Sequence, residues 1–279
     1  NLEQIRYWND VSAQKWVAQQ PILDAQLAPY SAAAMATLSL APGAGVIDVG
    51  CGCGGTTLAL AERVGARGRV TGIDISEPML ARARERAAAA GLAQAGFENA
   101  DAQTHAFGPA SVDALFSRFG VMFFADPSAA FANLRRAVRP GGQLAFVCWQ
   151  SLPQNPWMAV PLMAAAQHVT LPTPPSLEAP GPFAFARRER VQDLLDAAGW
   201  SDVGVEAFAP EFCISTSADL DVAVDFLLQL GPLGAVLREA EPAVVPRVRQ
   251  AVRDALAPYH GPGGLRMASS TWIVTARNG

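Results

Sequence analysis

Residues Val46 to Gly55 read "VIDVGCGCGG", a β-branched run that breaks into four glycines within six positions. Through Gly50, Gly52 and Gly55 the stretch fits G-x-G-x-x-G. Through Gly50, Gly52 and Gly54 it fits G-x-G-x-G. Either spacing describes a loop whose missing Cβ atoms let the backbone turn sharply and approach a nucleotide. The run before it predicts a buried strand. "TTLALAERV" (56–64) after it predicts a helix with Leu58, Ala61 and Val64 inward. A strand, a glycine turn and a helix start together make a ligand site, because the first helical N–H groups are unpaired and carry positive potential.

Outward from this loop, strands alternate with helices. Strands are expected at Val70–Ile75, Gly96–Ala100, Val112–Phe116 and Gln143–Trp149. Helices are expected at Glu77–Ala90, stopped by Gly91, and at Ser128–Val138, opened by Asp126 and ended by Pro140-Gly141-Gly142. The link Asp101–Ser111 is too short for a full helix. Alternation of this kind implies an α/β fold with a Rossmann-like, mostly parallel sheet covered by helices on both faces. After Trp149 the chain becomes proline-rich yet stays apolar (Pro153, Pro156, Pro161, Pro172, Pro174, Pro175). A helix returns at Arg187–Ala198, then a strand at Val203–Ile214, helices over 217–258 and a β-rich run at Met267–Ala276. The expected division is an N-terminal helical lid (1–40), a nucleotide-binding core (41–150), a cap insertion (151–186), core again (187–216), a helical cap insertion (217–261) and the last core strand (262–279).

Composition narrows the function. The chain has 279 residues, 51% hydrophobic and 16% charged, with a formal net charge of −4. A weakly acidic chain is a poor match for a phosphate-dominated nucleic-acid binder. Charges at Glu3, Arg6, Asp10 and Lys15 interrupt any signal peptide, and no long uncharged apolar run offers a membrane span. The absent initiator Met points to processing or trimming. Cys51, Cys53, Cys148 and Cys213 show no disulfide spacing, so a cytoplasmic setting is expected, and no metal site is.

Three features separate the two readings of the loop. Asp48 precedes the first glycine inside the strand; there it would repel a pyrophosphate and attract an ammonium, with a hydrogen bond to the loop backbone as its structural role. Asp101-Ala102 follows the third strand, where a carboxylate and a backbone N–H could meet an adenine edge. Lys15 is the sole lysine, before the fold begins, which removes a Tyr-x-x-x-Lys proton relay, Schiff-base chemistry and a phosphate-loop lysine. Asp74, ending the second strand, serves the ribose hydroxyls of either nucleotide, while Ser76 is the better N-cap for the next helix.

The segments "VIDVGCGCGGTTLALA", "VTGIDISEPMLARAR", "ADAQTH" and "DALFSRFGVMFFADPSAAFANLRRAVRPGGQLAFVCW" resemble the class I S-adenosylmethionine-dependent methyltransferases, in particular bacterial small-molecule enzymes of the ubiquinone/menaquinone-methyltransferase type. The resemblance covers residues 40–150 and only weakly the helix at 187–199 and the final strands. It implies seven strands, the last antiparallel, and S-adenosylmethionine as cofactor with S-adenosylhomocysteine as product. It places Gly50, Cys51 and Gly52 against the methionine part, Asp74 on the ribose, Ile75 and Met79 around adenine, and Asp101 and Ala102 at the adenine edge. Ser117, Arg118 and Phe119 would face the methyl group or the methionine carboxylate, with an Arg118–Asp126 ion pair as the structural alternative. Trp16, in the segment opened by "YWND", would close over the cofactor or simply pack on the sheet. Met122, Trp149, Trp157 and Met158 are expected around a small, largely apolar methyl acceptor.

No catalytic base is assigned. His105 reads as structural or cofactor-side, and His168 and His260 as surface residues. A homodimer is allowed, with no nucleic-acid partner expected. The rival readings are an NAD(P)-dependent oxidoreductase and a non-catalytic cofactor-binding partner subunit.

Overall fold

A computed structural model describes residues 1–173, 176 and 178–279; Pro174 and Pro175 of the proline-rich stretch lie outside the described residues. The chain divides into two units. One comprises Asn1–Trp149, Leu177–Ala207 and Thr271–Gly279, the other Gln150–Ser176 and Phe208–Ser270.

The first unit is built on β1 (Gly45–Val49), β2 (Arg69–Asp74), β3 (Ala95–Asn99), β4 (Val112–Arg118), β5 (Val138–Trp149), β6 (Ser201–Phe208) and β10 (Thr271–Arg277). Their order in the sheet is β3-β2-β1-β4-β5-β10-β6. β1 pairs in parallel with both β2 and β4, and β10 runs antiparallel to β5. The chain therefore reverses its direction of winding at β1, and the loops after β1 and β4 part at the sheet's carboxyl end, where open α/β sheets bind ligands. The helices follow local rules. α4 (Gly55–Val64) starts from Gly54 in the left-handed region, and α5 (Glu77–Ala90) ends on Gly91 at φ +68°. α6 (Pro127–Ala137) is capped by Asp126, whose carboxylate accepts from the Ala129 N–H at 2.9 Å. α8 (Arg188–Ala197) closes the set, and α1 (Leu2–Asn9), α2 (Val11–Ala18) and α3 (Gln20–Ala36) precede the sheet. Phe131, Phe146 and Phe185 form one buried cluster with ring centroids 5.7–6.2 Å apart. Each such ring contributes about 2 kcal/mol by leaving water.

Three expectations change. Pro140-Gly141-Gly142 does not precede the fifth strand but lies within it. β5 begins at Val138 and bulges, so the register jumps from Val112↔Val138 to Ala114↔Gln143. Gly142 is forced by that bulge, because a Cβ there would fall 2.7 Å from the Asp113 carbonyl. The single strand expected at 203–214 is two, β6 and β7 (Glu211–Ser215), in different sheets. The break is at Ala209-Pro210, where proline has no N–H for a ladder. The run 267–276 likewise splits into β9 (Gly264–Ala268) and β10.

The second unit is thus not purely helical. β7, β9 and β8 (His260–Gly261) form a three-stranded antiparallel sheet in the order β7-β9-β8. It is joined by α7 (Pro156–Ala165), α9 (Leu220–Gln229), α10 (Gly231–Glu239) and α11 (Val245–Leu256). α11 buries Val248, Val252 and Leu256, one stripe at four-residue spacing. Among the described residues no single helix is long and apolar enough to cross a membrane; α9 and α10 pass that test only as a pair bent by 65°. Asn155 stitches this unit together. Its Nδ2 donates to the carbonyls of Gln150, Ser151 and Ser270 at 3.3, 3.1 and 3.0 Å, and its Oδ1 accepts from the Ser270 N–H at 2.9 Å. Asn155→Ala is expected to lower stability by about 3 kcal/mol in urea unfolding, since backbone groups are left buried without partners.

Candidate functional site

The glycine loop hangs from the end of β2. The Gly50 and Cys51 N–H groups both donate to the Ile73 carbonyl, at 2.8 and 3.2 Å, and the Gly52 N–H donates to Asp74 Oδ2 at 2.7 Å. Gly50, Gly52 and Gly54 all take positive φ, from +52° to +81°. With its first three N–H groups committed inside the fold, the start of the loop has few amides left for a pyrophosphate. Asp74 Oδ1 accepts from the Ser76 N–H at 2.9 Å. The carboxylate thus accepts from backbone N–H groups of the loop and of the chain beyond β2, and retains capacity for a further donor. Burial raises the Asp74 carboxyl above its ordinary pKa.

Asp48 is fully buried at the loop's base. It does not hold the loop backbone. Its Oδ2 accepts from the hydroxyls of Thr56 and Thr57, both at 2.6 Å, which fixes the first turn of α4 to β1. Its Oδ1 has no partner. Burial pushes its pKa up to about 6; the two threonine hydroxyls and then the Arg118 charge oppose that rise.

The loop after β4 meets the glycine loop from the other side. Ser117 is buried, donates to the Val49 carbonyl at 2.7 Å and accepts from the Gly120 N–H at 3.2 Å, so its hydroxyl braces β1 against β4. Gly120 was not singled out in the sequence, yet a Cβ there would lie 2.6 Å from the Val49 carbonyl and 2.8 Å from Gly50 Cα. Phe119 sits at φ +60°, an uncommon conformation for a bulky residue. That turn lays its ring flat on Trp149, centroids 4.2 Å apart and planes 8° apart, with Tyr30 edge-on to both. Met122 is buried, its sulfur accepting from the Trp149 N–H at 3.5 Å.

The expected Arg118–Asp126 pair is absent, since Asp126 caps α6. Arg118 pairs instead with Asp24 of α3 at 3.4 Å. Ser76 occupies the N-cap of α5, but its hydroxyl makes no capping bond and is buried without a partner. The Glu77 N–H goes instead to Asn9 Oδ1 at 3.1 Å, and Asn9 Nδ2 donates to the Ile75 carbonyl at 2.8 Å. Beside it Trp8 is edge-on to Phe123 at 5.1 Å and to Trp16 at 5.6 Å. α1 therefore touches the chain just beyond β2 and just beyond β4. Neither contact has a local sequence signal.

Met79 is buried and Ile75 half-buried at the end of β2. Asp101 Oδ1 accepts from the Gln103 N–H at 3.0 Å, and the Ala102 carbonyl accepts from Asn133. His105 Nε2 lies 3.4 Å from Glu98 Oε1, a structural setting. In the second unit Trp157 stacks on Phe212 at 4.1 Å and Met158 is buried. His260 Nε2 is 3.2 Å from the Ser217 carbonyl, and His168 is exposed.

Comparison with known proteins fits this geometry. Residues 46–142 match the Methyltransferase domain family. Aklanonic acid methyltransferase DauC of Streptomyces is 33% identical over 159 residues, covering 54% of this chain and 70% of that protein. The chain belongs to the class I S-adenosylmethionine-dependent methyltransferases. Nocamycin O-methyltransferase of Saccharothrix syringae is 34% identical over 170 residues, covering 58% of this chain; the chain spans only 61% of that relative's length. Among solved structures, the cyclase SpnF superposes with a TM-score of 0.56 at 18% identity, over 95% of this chain and 94% of its own. The methyltransferase fold thus also houses a protein named for a different reaction, and fold alone does not fix activity.

Two outcomes follow for this methyltransferase. Gly120→Ala should cost about 2–4 kcal/mol in thermal or urea unfolding, because the methyl group must displace backbone. Asp48 has a folded-state pKa raised from 3.8 to about 6. Its stability contribution is therefore fully present below pH 4 and lost as pH rises through 6. Relative to Asp48→Asn, the wild type should lose about 3 kcal/mol between pH 4 and 7, read as diverging unfolding free energies.

Proposed function

We propose that this chain transfers a methyl group from S-adenosylmethionine to a small, largely apolar acceptor and releases S-adenosylhomocysteine. The observation that carries the reading is the glycine loop bonded to Asp74, with its first amides turned into the fold and an unpaired Asp48 oxygen at its base. That set accepts a cationic amino-acid moiety and a ribose at once. Bound S-adenosylmethionine supplies a methyl group already activated by its positively charged sulfur.

The chain's residues would do the rest. Asp74 accepts from the ribose hydroxyls with its remaining acceptor capacity. Ile75 and Met79 enclose the adenine, and Asp101 and Ala102 meet its edge. Gly50, Cys51 and Gly52 contact the methionine part through their backbone, and the Asp48 charge attracts its ammonium. Phe119, braced by Ser117, presents with Trp149 a flat aromatic wall to the acceptor. Met122 is a secondary candidate for an acceptor contact. α1 and α2, through Asn9, Trp8 and Trp16, shield the nucleotide from water. Orientation of acceptor and methyl in line supplies several kcal/mol of rate enhancement, about 7–11 at the well-aligned limit. No described histidine is placed as a general base, so the reading assigns none. The relatives named for nocamycin and aklanonic acid support a small-molecule acceptor.

The dinucleotide reading is not favoured, because the first three amides of the loop are committed inside the fold and the Asp24 carboxylate packs against Gly55, where a Cβ would fall 2.6 Å from its Oδ1. Calorimetry with S-adenosylhomocysteine tests the proposal. Asp74→Ala should weaken binding about 100-fold through loss of two charge-assisted hydrogen bonds, and unchanged affinity would remove the ribose assignment. A labelled-methyl transfer assay on cell extract separates a catalyst from a binding subunit, which would hold the cofactor and label nothing.

A further inference from the structure

Asp24, in the second turn of α3, gathers three side chains, two of them from elements far away in the sequence. It accepts from Gln20 Nε2 at 2.7 Å and pairs with Arg86 Nη2 at 2.8 Å and with Arg118 Nη2 at 3.4 Å, while lying against Gly55 at the start of α4. Arg86 is firmly held, because its Nη1 also donates to the Cys53 carbonyl of the glycine loop at 2.6 Å. Arg118 is not. Its two contacts, to Asp24 and to the Ser31 hydroxyl, are both 3.4 Å long, although its side chain is only 13% exposed. A guanidinium carries five donors and a fixed charge. A largely buried guanidinium with only two loose contacts still requires an anion.

Charge counting does not choose it, since Asp48 also acts on Arg118; shape does. A guanidinium fork matches a planar carboxylate, and the cofactor's methionine end carries one. We propose that Asp24 is a positioning residue: it holds Arg118 from α3 so that the guanidinium's free donors meet the carboxylate of the cofactor's methionine moiety. This rests on the cofactor reading above and extends it to a residue outside the glycine loop and the sheet. Asp24 does not itself touch the cofactor. Its grip on Arg86, which in turn holds Cys53, ties the same carboxylate to the loop's outer edge, so α3 and the loop are ordered by one charge.

The test compares two ligands by calorimetry on the full chain: S-adenosylhomocysteine, and 5′-methylthioadenosine, which keeps the adenosine and thioether but lacks the amino-acid group. Asp24→Asn, nearly isosteric, should weaken S-adenosylhomocysteine binding about tenfold and leave 5′-methylthioadenosine within about twofold. Arg118→Gln should show the same discrimination, and Asp24→Asn added to it should cost nothing further. Retained 5′-methylthioadenosine binding shows that each variant is folded, and Arg118→Gln provides the discrimination should Asp24→Asn not fold. Equal weakening of both ligands, or losses that add in the double variant, would mark Asp24 as mere packing and overturn the proposal. Unchanged binding by Asp24→Asn, with Asp74→Ala still defective, overturns it while the cofactor reading stands. Failure of the wild type to bind S-adenosylhomocysteine removes both.

Discussion

The contact between Gly50 and Gly120 governs the architecture of the site. Two parallel strands, β1 and β4, end side by side, and the chain must leave each in a different direction. Their loops approach so closely that neither position tolerates a Cβ, and the buried Ser117 hydroxyl clamps the junction through the Val49 carbonyl. Everything around the loop takes its place from this crossing. Gly50 is turned to φ +69°, the next amides fall onto the end of β2, and Phe119 is driven into the left-handed region, so that its ring faces Trp149 rather than the core. The strain in one aromatic residue is offset by an interface between strands that has no slack.

The second constraint is charge. Asp24, Asp48 and Asp74 surround one short loop, each neutralised differently: by guanidiniums, by burial and threonine hydroxyls, and by backbone N–H groups. A loop flanked by three such carboxylates, with its first amides turned inward, offers a phosphate few donors. That is a different logic from a dinucleotide site, although the glycine spacing is shared.

Local order was legible in the residues. The caps at Gly91 and Asp126 fall where their chemistry places them, and the alternation of strands and helices through Trp149 carries the sheet. What could not be read joins residues far apart in the chain. Asn9 reaches Ile75 and Glu77, Asp24 reaches Arg86 and Arg118, and Gly120 reaches Gly50; none of these partners shares a period or a motif. Ser76 shows the limit of local rules. It has the right type at the right place for a cap, but the second helical residue is Pro78, which has no N–H to donate, and the Ser76 hydroxyl is buried without a partner. The extended readings at 203–214 and 267–276 failed for another reason. Extended conformation is local, but membership of a sheet is not, and Pro210 allows the chain to pass from one sheet to another without a turn residue to announce it.

The pairing of β5 with β10 begins at Trp149↔Thr271. Gln150 and Ser270, the next residue on either side, already belong to the second unit, and the Gln150 N–H donates to the Ser270 carbonyl at 3.0 Å. The first exit of the chain and its last return thus lie on neighbouring rungs of one ladder, while Leu177–Ala207 comes back to the first unit between them. The entropy of closing a long loop grows only slowly with its length. Residues can therefore be added to the chain between those two rungs at small entropic cost, while the β5–β10 pairing itself stays as it is.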